Sequence, residues 1–349
     1  MTHVAPIDDE TAIAAYLAAH RDATPFHDRR WLRAVERGCG QTYHRLAATD
    51  GDGNLTGYLP LTHIRSRVFG SALVSTGFAV GGGILADDHA SAAQLADAAW
   101  TLAAELGAGT LELRGGRVPG DDLGDRSWIA DATTYAGFVA DLADDDDAQL
   151  LAIPRKQRAE VRKALGGSLT VRTGRDAVDR REHYRVYAQS VRNLGTPVFP
   201  RRLFDAVLDG FGDDADILTV RDGDTPVASV LSLYHRGTVM PYWGGGTHAA
   251  RHLRANERMY YELMLHARRR GCARFDFGRS KSGTGAYAYK KNWGFVPEPL
   301  TYYARTAEGE RMRSINPSDA KYRLQVALWK KLPLGIANRI GPMLARGLG

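Results

Sequence analysis

The chain has 349 residues, 44% hydrophobic and 25% charged, with a net charge of +6. At about 100–200 residues per domain this length predicts two domains, and the composition excludes a fibre, a collagen or a long disordered chain. The charge is uneven: residues 1–150 hold 11 Arg, no Lys and 22 Asp+Glu, whereas residues 151–349 hold 35 Lys+Arg and 18 Asp+Glu.

The first ten residues are acidic and lack a charged-then-apolar signal pattern. No run of about 18 apolar residues follows, so no helix is expected to span a membrane. The two cysteines, Cys39 and Cys272, have neither CxxC nor metal-ligand spacing, which predicts neither disulfide nor zinc. A reducing cytoplasm is the expected location.

Residues 44–61 read as strand, Asp-Gly turn, strand. A triple glycine follows, Gly81–Gly83, then an amphipathic helix over about 90–106 stopped by Gly107, then a strand with one acid between apolar neighbours, Leu111-Glu112-Leu113. The run Asp144–Asp147 is a solvated acidic turn at a domain junction, and 154–163 is a basic helix leading into the second half.

The series then recurs: hairpin at 217–234, triple glycine Gly244–Gly246, helix over about 257–270 stopped by Gly271, acid-bearing strand Phe275-Asp276-Phe277. Asn256 is the expected N-cap of that helix, with Tyr260, Leu263, Met264 and Ala267 as its apolar stripe. Four features in one order, offset by a near-constant interval, indicate duplication. Helices, an antiparallel hairpin, a further strand, a helix and a final strand pair in each copy predict an α/β class with mixed sheets flanked by helices. The expected boundaries are 1–148, 149–310 and a basic extension, 311–349.

The segment Phe275–Phe295 contains Phe275-Asp276-Phe277-Gly278 and Gly285-x-x-x-Tyr289-Lys290-x-x-x-Gly294. It resembles the FemAB/FemX family of peptidyltransferases and the BioF2-like acetyltransferase domains. Arg192–Pro197, Pro241–Gly246, Phe277–Lys281 and Leu328–Pro333 are most similar to FemAB-like proteins associated with the PEP-CTERM/exosortase system. The resemblance implies two tandem GNAT-like domains and an acyltransferase acting on an amine, in cell-envelope or exopolysaccharide synthesis. It implies no permanently bound cofactor. The co-substrate would be an anionic acyl donor, aminoacyl-tRNA or an acyl thioester, and the acceptor a small molecule or lipid-linked sugar.

The charge asymmetry suits such a donor, or mutual attraction of the two lobes. Residues 176–210 have room for two ordinary helices only, so the long helical arm of FemA and FemB is absent. The segment Arg251–Glu257 lacks the glycines with which ordinary GNAT enzymes cradle a pyrophosphate, leaving Arg251 and Arg254 to bind phosphate by side chain. The alternative is a non-catalytic binding or scaffold protein of an exopolysaccharide assembly.

Amide formation needs a neutral amine, an oriented carbonyl and stabilisation of the oxyanion. Lys290, a fixed cation in a glycine-flanked loop, is the candidate for the last. Asp276, facing opposite to Phe275 and Phe277, is the candidate base or orienting group, or equally a strand-end acid that caps a neighbouring loop. Arg279 and Lys281 suit an anionic substrate, and Tyr242, Trp243 and Tyr289 are candidate pocket walls. His235 and His252 are possible bases, though isolated histidines are more often structural. No metal ligands are expected. The C-terminal tail mixes apolar and basic residues, and Pro333, Gly335, Gly341 and Pro342 prevent one long helix. It is expected to pack on its own domain or to make peripheral contact with a membrane.

Overall fold

Two Asp-Gly turns each start a sheet in the structure, a computed structural model that describes residues 2–116, 128–310 and 323–349. The described residues within 1–132, 300–316 and 343–349 form one compact unit, and those within 133–299 and 317–342 a second.

In the first unit β1 (His3–Pro6), α1 (Glu10–Ala19) and α2 (Arg29–Cys39) lead into β2 (Thr42–Thr49), β3 (Leu55–Ser66), β4 (Gly70–Ser75), β5 (Leu85–Ala86), α3 (His89–Glu105) and β6 (Thr110–Arg114). The turn between β2 and β3 is held by Asp50, whose carboxylate accepts the Asp52 and Asn54 N–H groups at 2.9 Å. β3 is antiparallel to β2 and β4, and β6 returns parallel to β4. Ala92, Leu95, Ala96, Ala99 and Ala103 of α3 are buried against Leu46, Leu59, Leu61, Leu73, Leu111 and Leu113. This alanine-rich face allows close approach. A Cβ added at Gly57 would lie 2.8 Å from Leu95 Cδ1, closer than van der Waals contact permits.

The chain continues through β7 (Trp128–Asp141), which from Thr133 onward belongs to the second unit. There follow α4 (Asp146–Ala152), α5 (Arg155–Leu165), β8 (Thr170–Gly174), α6 (Ala177–Leu194), α7 (Arg201–Phe211), β9 (Ala215–Asp222), β10 (Thr225–His235), β11 (Thr238–Gly246), α8 (Ala250–Leu253), α9 (Ala255–Arg269), β12 (Arg274–Asp276), β13 (Ser280–Lys281), α10 (Gly285–Asn292), β14 (Pro297–Thr306), α11 (Arg323–Lys331) and α12 (Leu334–Ala345). β10 is antiparallel to β9 and β11, and β12 is parallel to β11. The series β2, β3, β4, α3, β6 and β9, β10, β11, α9, β12 therefore share one order and one set of strand directions. Each sheet also carries an antiparallel outer strand, β1 on β2 and β8 on β9. The expected duplication is a duplication of topology.

The second sheet is covered on both faces. Leu218, Val220, Ala228 and Val230 pack with Met259, Leu263, Met264 and Ala267 of α9. Ser229, which alternation turns to the other face, is bonded at 3.0 Å by His183 of α6. Helix α9 differs from expectation at its start. It begins at Ala255, and its cap position is Arg254 in a left-handed conformation with φ of 55°. Asn256 therefore lies inside the first turn, because the tight α8–α9 junction leaves no extended residue to serve as a side-chain cap.

The strand that completes each sheet is not the next in the chain. β12 has β7 as its antiparallel neighbour, with Phe275 opposite Ala140. β6 has β14, with Tyr303 opposite Leu113. The compact units thus depart from the boundaries expected at 148 and 310. Residues 133–148 lie in the second unit, 300–310 lie in the first, and the described part of the extension divides after Pro342. Pairing between strands so far apart in sequence leaves no mark on local periodicity.

The exchange generates a prediction. Tyr302 on β14 is 8% exposed and donates its hydroxyl to the Val80 carbonyl at 2.6 Å. Tyr302→Ala should destabilise the first unit by about 3–5 kcal/mol, although more than 180 residues separate Tyr302 from β6. Tyr302→Phe should cost only about 0.5–1.5 kcal/mol. Hydrogen exchange of the β6 amides measures both, and equal protection in all three proteins would refute the pairing.

Candidate active site

A one-residue bulge organises the second unit's site. Asp276 is opposite Val139, and Ser280 is opposite Ala136. Four steps along one strand thus match three along β7, which inserts an extra residue. The backbone turns at Gly278, with φ of 71°. The Asp276 carboxylate holds this turn by accepting the Gly278 N–H at 2.8 Å.

Lys290 is fixed against the bulge. The flanking glycines predict a loop, but Thr284 starts a helix here instead, its hydroxyl accepting the Tyr287 N–H and donating to the Lys281 carbonyl at 2.7 Å. Helix α10 puts Gly285, Ala286, Tyr289 and Lys290 on one face and leaves Lys291 exposed. Lys290 is 9% exposed. Its Nζ donates to the Gly278 carbonyl at 2.9 Å and the Arg279 carbonyl at 3.0 Å. The Phe138 and Phe277 rings lie 5.3 and 5.4 Å away, within cation–π range. Two of three ammonium hydrogens are bonded, and the third has no protein partner among the described residues. Burial lowers the Lys290 pKa to about 8, the nearby Asp276 charge opposes that shift, and Arg279 adds to it. Burial raises the Asp276 pKa against the Gly278 N–H, Lys290 and Arg274.

Lys290 lines a cavity of about 570 Å³ with Gly244–Gly246, Arg251, Asn256, Tyr260, Tyr289 and Lys330. A Cβ on Gly245 would collide with Ser190 Oγ, and one on Gly246 with Ala250 and Asn256, so glycine here permits close packing of β11. Among the described residues three cations, Arg251, Lys290 and Lys330, line the cavity, and no carboxylate does. The buried Asn256 Oδ1 and Thr247 Oγ1 have no hydrogen-bond partner among the described residues. Both residues line the cavity, so both atoms are available to a ligand. Sequence reasoning places Asn256 as a cap and passes over Thr247; the only signal is their position beside the triple glycine.

The other expected site residues are dispersed. Tyr289 lines the cavity, its hydroxyl 3.4 Å from Glu257, and burial holds its phenol well above the ordinary range. Asp276 touches the bulge and not the cavity wall. Arg254 forms an ion pair with Glu160, and Arg251 takes the wall instead. Arg279 stacks on Tyr135 with its guanidinium carbon 4.5 Å from the ring centroid, and Lys281 is opposite Tyr135 in the β13–β7 ladder. Trp243 is core, 4.6 Å from Phe204 between ring centroids, with Tyr242 against it at 5.0 Å. Neither aromatic lines the cavity, because β11 turns Trp243 under the α6–α7 layer. His235 and His252 are also outside it.

The first unit has a cavity of about 800 Å³ at its own triple glycine, Gly81–Gly83. Its wall includes Arg114, which is already occupied. The guanidinium bonds Glu112 at 2.6 Å and the carbonyls of Ala79 at 2.9 Å and Gly349 at 2.8 Å. The other cation of that wall, Arg21, is exposed, so it is a buried cation with an unused donor that marks the second unit's cavity as the candidate site. Among the described residues no cluster of three His, Cys, Asp or Glu could hold a metal, and no helix is long and apolar enough to cross a membrane.

The geometry predicts a titration. Because the Asp276 charge supports the Lys290 ammonium, Asp276→Asn should move the Lys290 pKa below about 8. NMR titration of the lysine side chains reads this directly. An unchanged pKa would remove the electrostatic link between the two groups.

Residues 154–291 match the family of acetyltransferase (GNAT) domains. A comparison with curated proteins finds no match. Among solved structures, FemX aligns with a TM-score of 0.67 at 14% identity, over 86% of this chain and 96% of the FemX chain. A tandem GNAT protein from the clavulanic acid biosynthesis pathway aligns at 0.57 and 12% identity, over 89% of this chain and all (100%) of its own. The C-terminal domain of a protein described as a lysylphosphatidylglycerol synthetase, from Agrobacterium fabrum, aligns at 0.56 and 13% identity, over 84% of this chain and 93% of its own. The chain is a two-domain GNAT-fold protein, and residues 154–291, in its second unit, match an acetyltransferase (GNAT) domain.

Proposed function

We propose that the second unit transfers an acyl or aminoacyl group from an anionic donor to an amine acceptor, with Lys290 stabilising the oxyanion. The single observation that carries this reading is the buried Lys290 ammonium, fixed by two carbonyls with one N–H unused at the wall of a cavity. A neutral amine attacks the donor carbonyl, forming the C–N bond and moving the carbonyl electrons onto oxygen. The third N–H of Lys290 meets that oxygen in a low-dielectric surround, where such donors act most strongly. Collapse then breaks the C–O bond of an aminoacyl ester or the C–S bond of a thioester. The attacking nitrogen loses a proton and the leaving oxygen or sulfur gains one, so the transfer is proton-neutral overall; the Tyr289 hydroxyl, which donates to Glu257, stays protonated at the cavity wall. Both cysteines are buried away from the cavity, which favours direct transfer over an acyl-enzyme.

Asp276 acts in this reading as a positioning residue. Its carboxylate holds the bulge whose carbonyls hold Lys290. The cationic wall of Arg251 and Lys330 suits a phosphate-bearing donor, aminoacyl-tRNA or a carrier thioester. The runs similar to PEP-CTERM-associated FemAB-like proteins, and the fold shared with FemX, favour an acceptor in cell-envelope or exopolysaccharide synthesis. The alternative, a non-catalytic scaffold of such an assembly, gives the third N–H of Lys290 no task.

Lys290→Ala should lower turnover by about 10²–10³ with little change in donor affinity. Lys291→Ala, exposed on the same helix, should change little, and Lys290→Arg should not rescue, since a planar guanidinium cannot occupy the same point. The ammonium is the active form, so wild-type turnover should fall as pH rises through about 8. Steady-state kinetics on the donor–acceptor pair measures all of these. Wild-type turnover in Lys290→Ala would exclude the assignment. A loss confined to affinity and deepening with salt would make Lys290 a phosphate ligand.

A further inference from the structure

Helices α11 and α12 expose one apolar side each. On α11, Leu324 and Leu328 are four residues apart and 71% and 58% exposed; on α12, Ile336 and Ile340 have the same spacing and are 46% and 41% exposed. The spacing puts each pair on a single helix face. The opposite faces are seated on the second unit. Val326 lies against Gly195, Gly341 against Val198, Ala337 is buried, and Arg192 donates to the Lys330 carbonyl at 3.0 Å. The exposed isoleucines and leucines are therefore not the loose side of a fraying tail.

The charge along this stretch of the sequence has one sign. The last thirty residues contain six Lys+Arg and no Asp or Glu. Lys331 lies seven residues after Leu324, and Arg339 three after Ile336, so both flank the apolar pairs. The 12 residues of α12 are too few to cross a bilayer, which takes about 20. Basic groups beside an apolar stripe on a short helix suit the boundary between headgroups and acyl chains.

We infer that α11 and α12 dock in the interface of an anionic lipid bilayer. Lys330 sits between this face and the reaction cavity, whose wall it forms. Docking therefore brings the cavity next to the headgroup layer, and it stands independently of the proposed acyl transfer.

The test is flotation of the full chain with vesicles of phosphatidylcholine, alone and with phosphatidylglycerol added. The wild type should float with the anionic vesicles and not with the neutral ones. Lys331→Ala and Arg339→Ala should each lower the binding constant about fivefold, and a Leu328→Glu/Ile340→Glu double variant should abolish flotation. Circular dichroism checks that these exposed-site variants stay folded. Lys290→Ala should float like the wild type, which separates docking from catalysis. Absence of wild-type flotation on anionic vesicles, or undiminished flotation of the double variant, overturns the proposal. A dimer in sedimentation velocity that Leu328→Glu dissociates would assign the face to a second copy of the chain and overturn it equally.

Discussion

An ammonium group taken out of water is the constraint on which the second unit's site depends. Removing such an ion from solvent costs several kcal/mol unless hydrogen bonds and nearby charge replace its hydration. At Lys290 the replacements come from separate elements. Two carbonyls come from the bulge after β12, one carboxylate from the end of β12, and two aromatic faces from β7 and the residue after β12. None is adjacent to Lys290 in sequence, so the ion is stable only once the sheet has closed on β7. The same desolvation that lowers its pKa to about 8 keeps water from competing for its third N–H, which is the condition for oxyanion stabilisation.

The two units place different cations on one topology. Glu112 on β6 corresponds to Asp276 on β12 in the repeated series, and each has a cation beside it. In the first unit that cation is Arg114, bound directly to Glu112 and to backbone carbonyls. In the second unit the acid bonds the backbone at Gly278, and the cation stands apart on α10 with a donor unused. A fork of five fixed N–H donors is suited to binding several carbonyls at once, whereas a compact ammonium can be held by two and still present a third. The choice of Arg in one copy and Lys in the other separates a structural cross-link from the proposed reactive site.

Local features of the fold are legible in the sequence. The hairpins at 44–61 and 217–234, the helices before Gly107 and Gly271, and the repeated order all follow from turn chemistry and periodicity. The exchange of β7 and β14 is not, because pairing at a distance of more than a hundred residues has no local signature. The site is legible in part. Lys290 and Tyr289 stand out through their motif, but Gly285 and Gly294 suggest a loop and mask the helix signal at Thr284. Trp243 and Arg254 have side chains suited to substrates, yet a core position and Glu160 claim them. The orphaned acceptors of Asn256 and Thr247 emerge only when burial and hydrogen bonding are known atom by atom.

The central claim is that chemistry depends on Lys290. Wild-type and Lys290→Ala protein can each be incubated with a cell extract containing charged tRNA and acyl thioesters, and the amines followed by mass spectrometry. Such a screen requires no chosen substrate. The account predicts at least one amine that gains an acyl or aminoacyl mass with the wild type and fails to do so at a comparable rate with Lys290→Ala. The same product formed at equal rate by both proteins would contradict it.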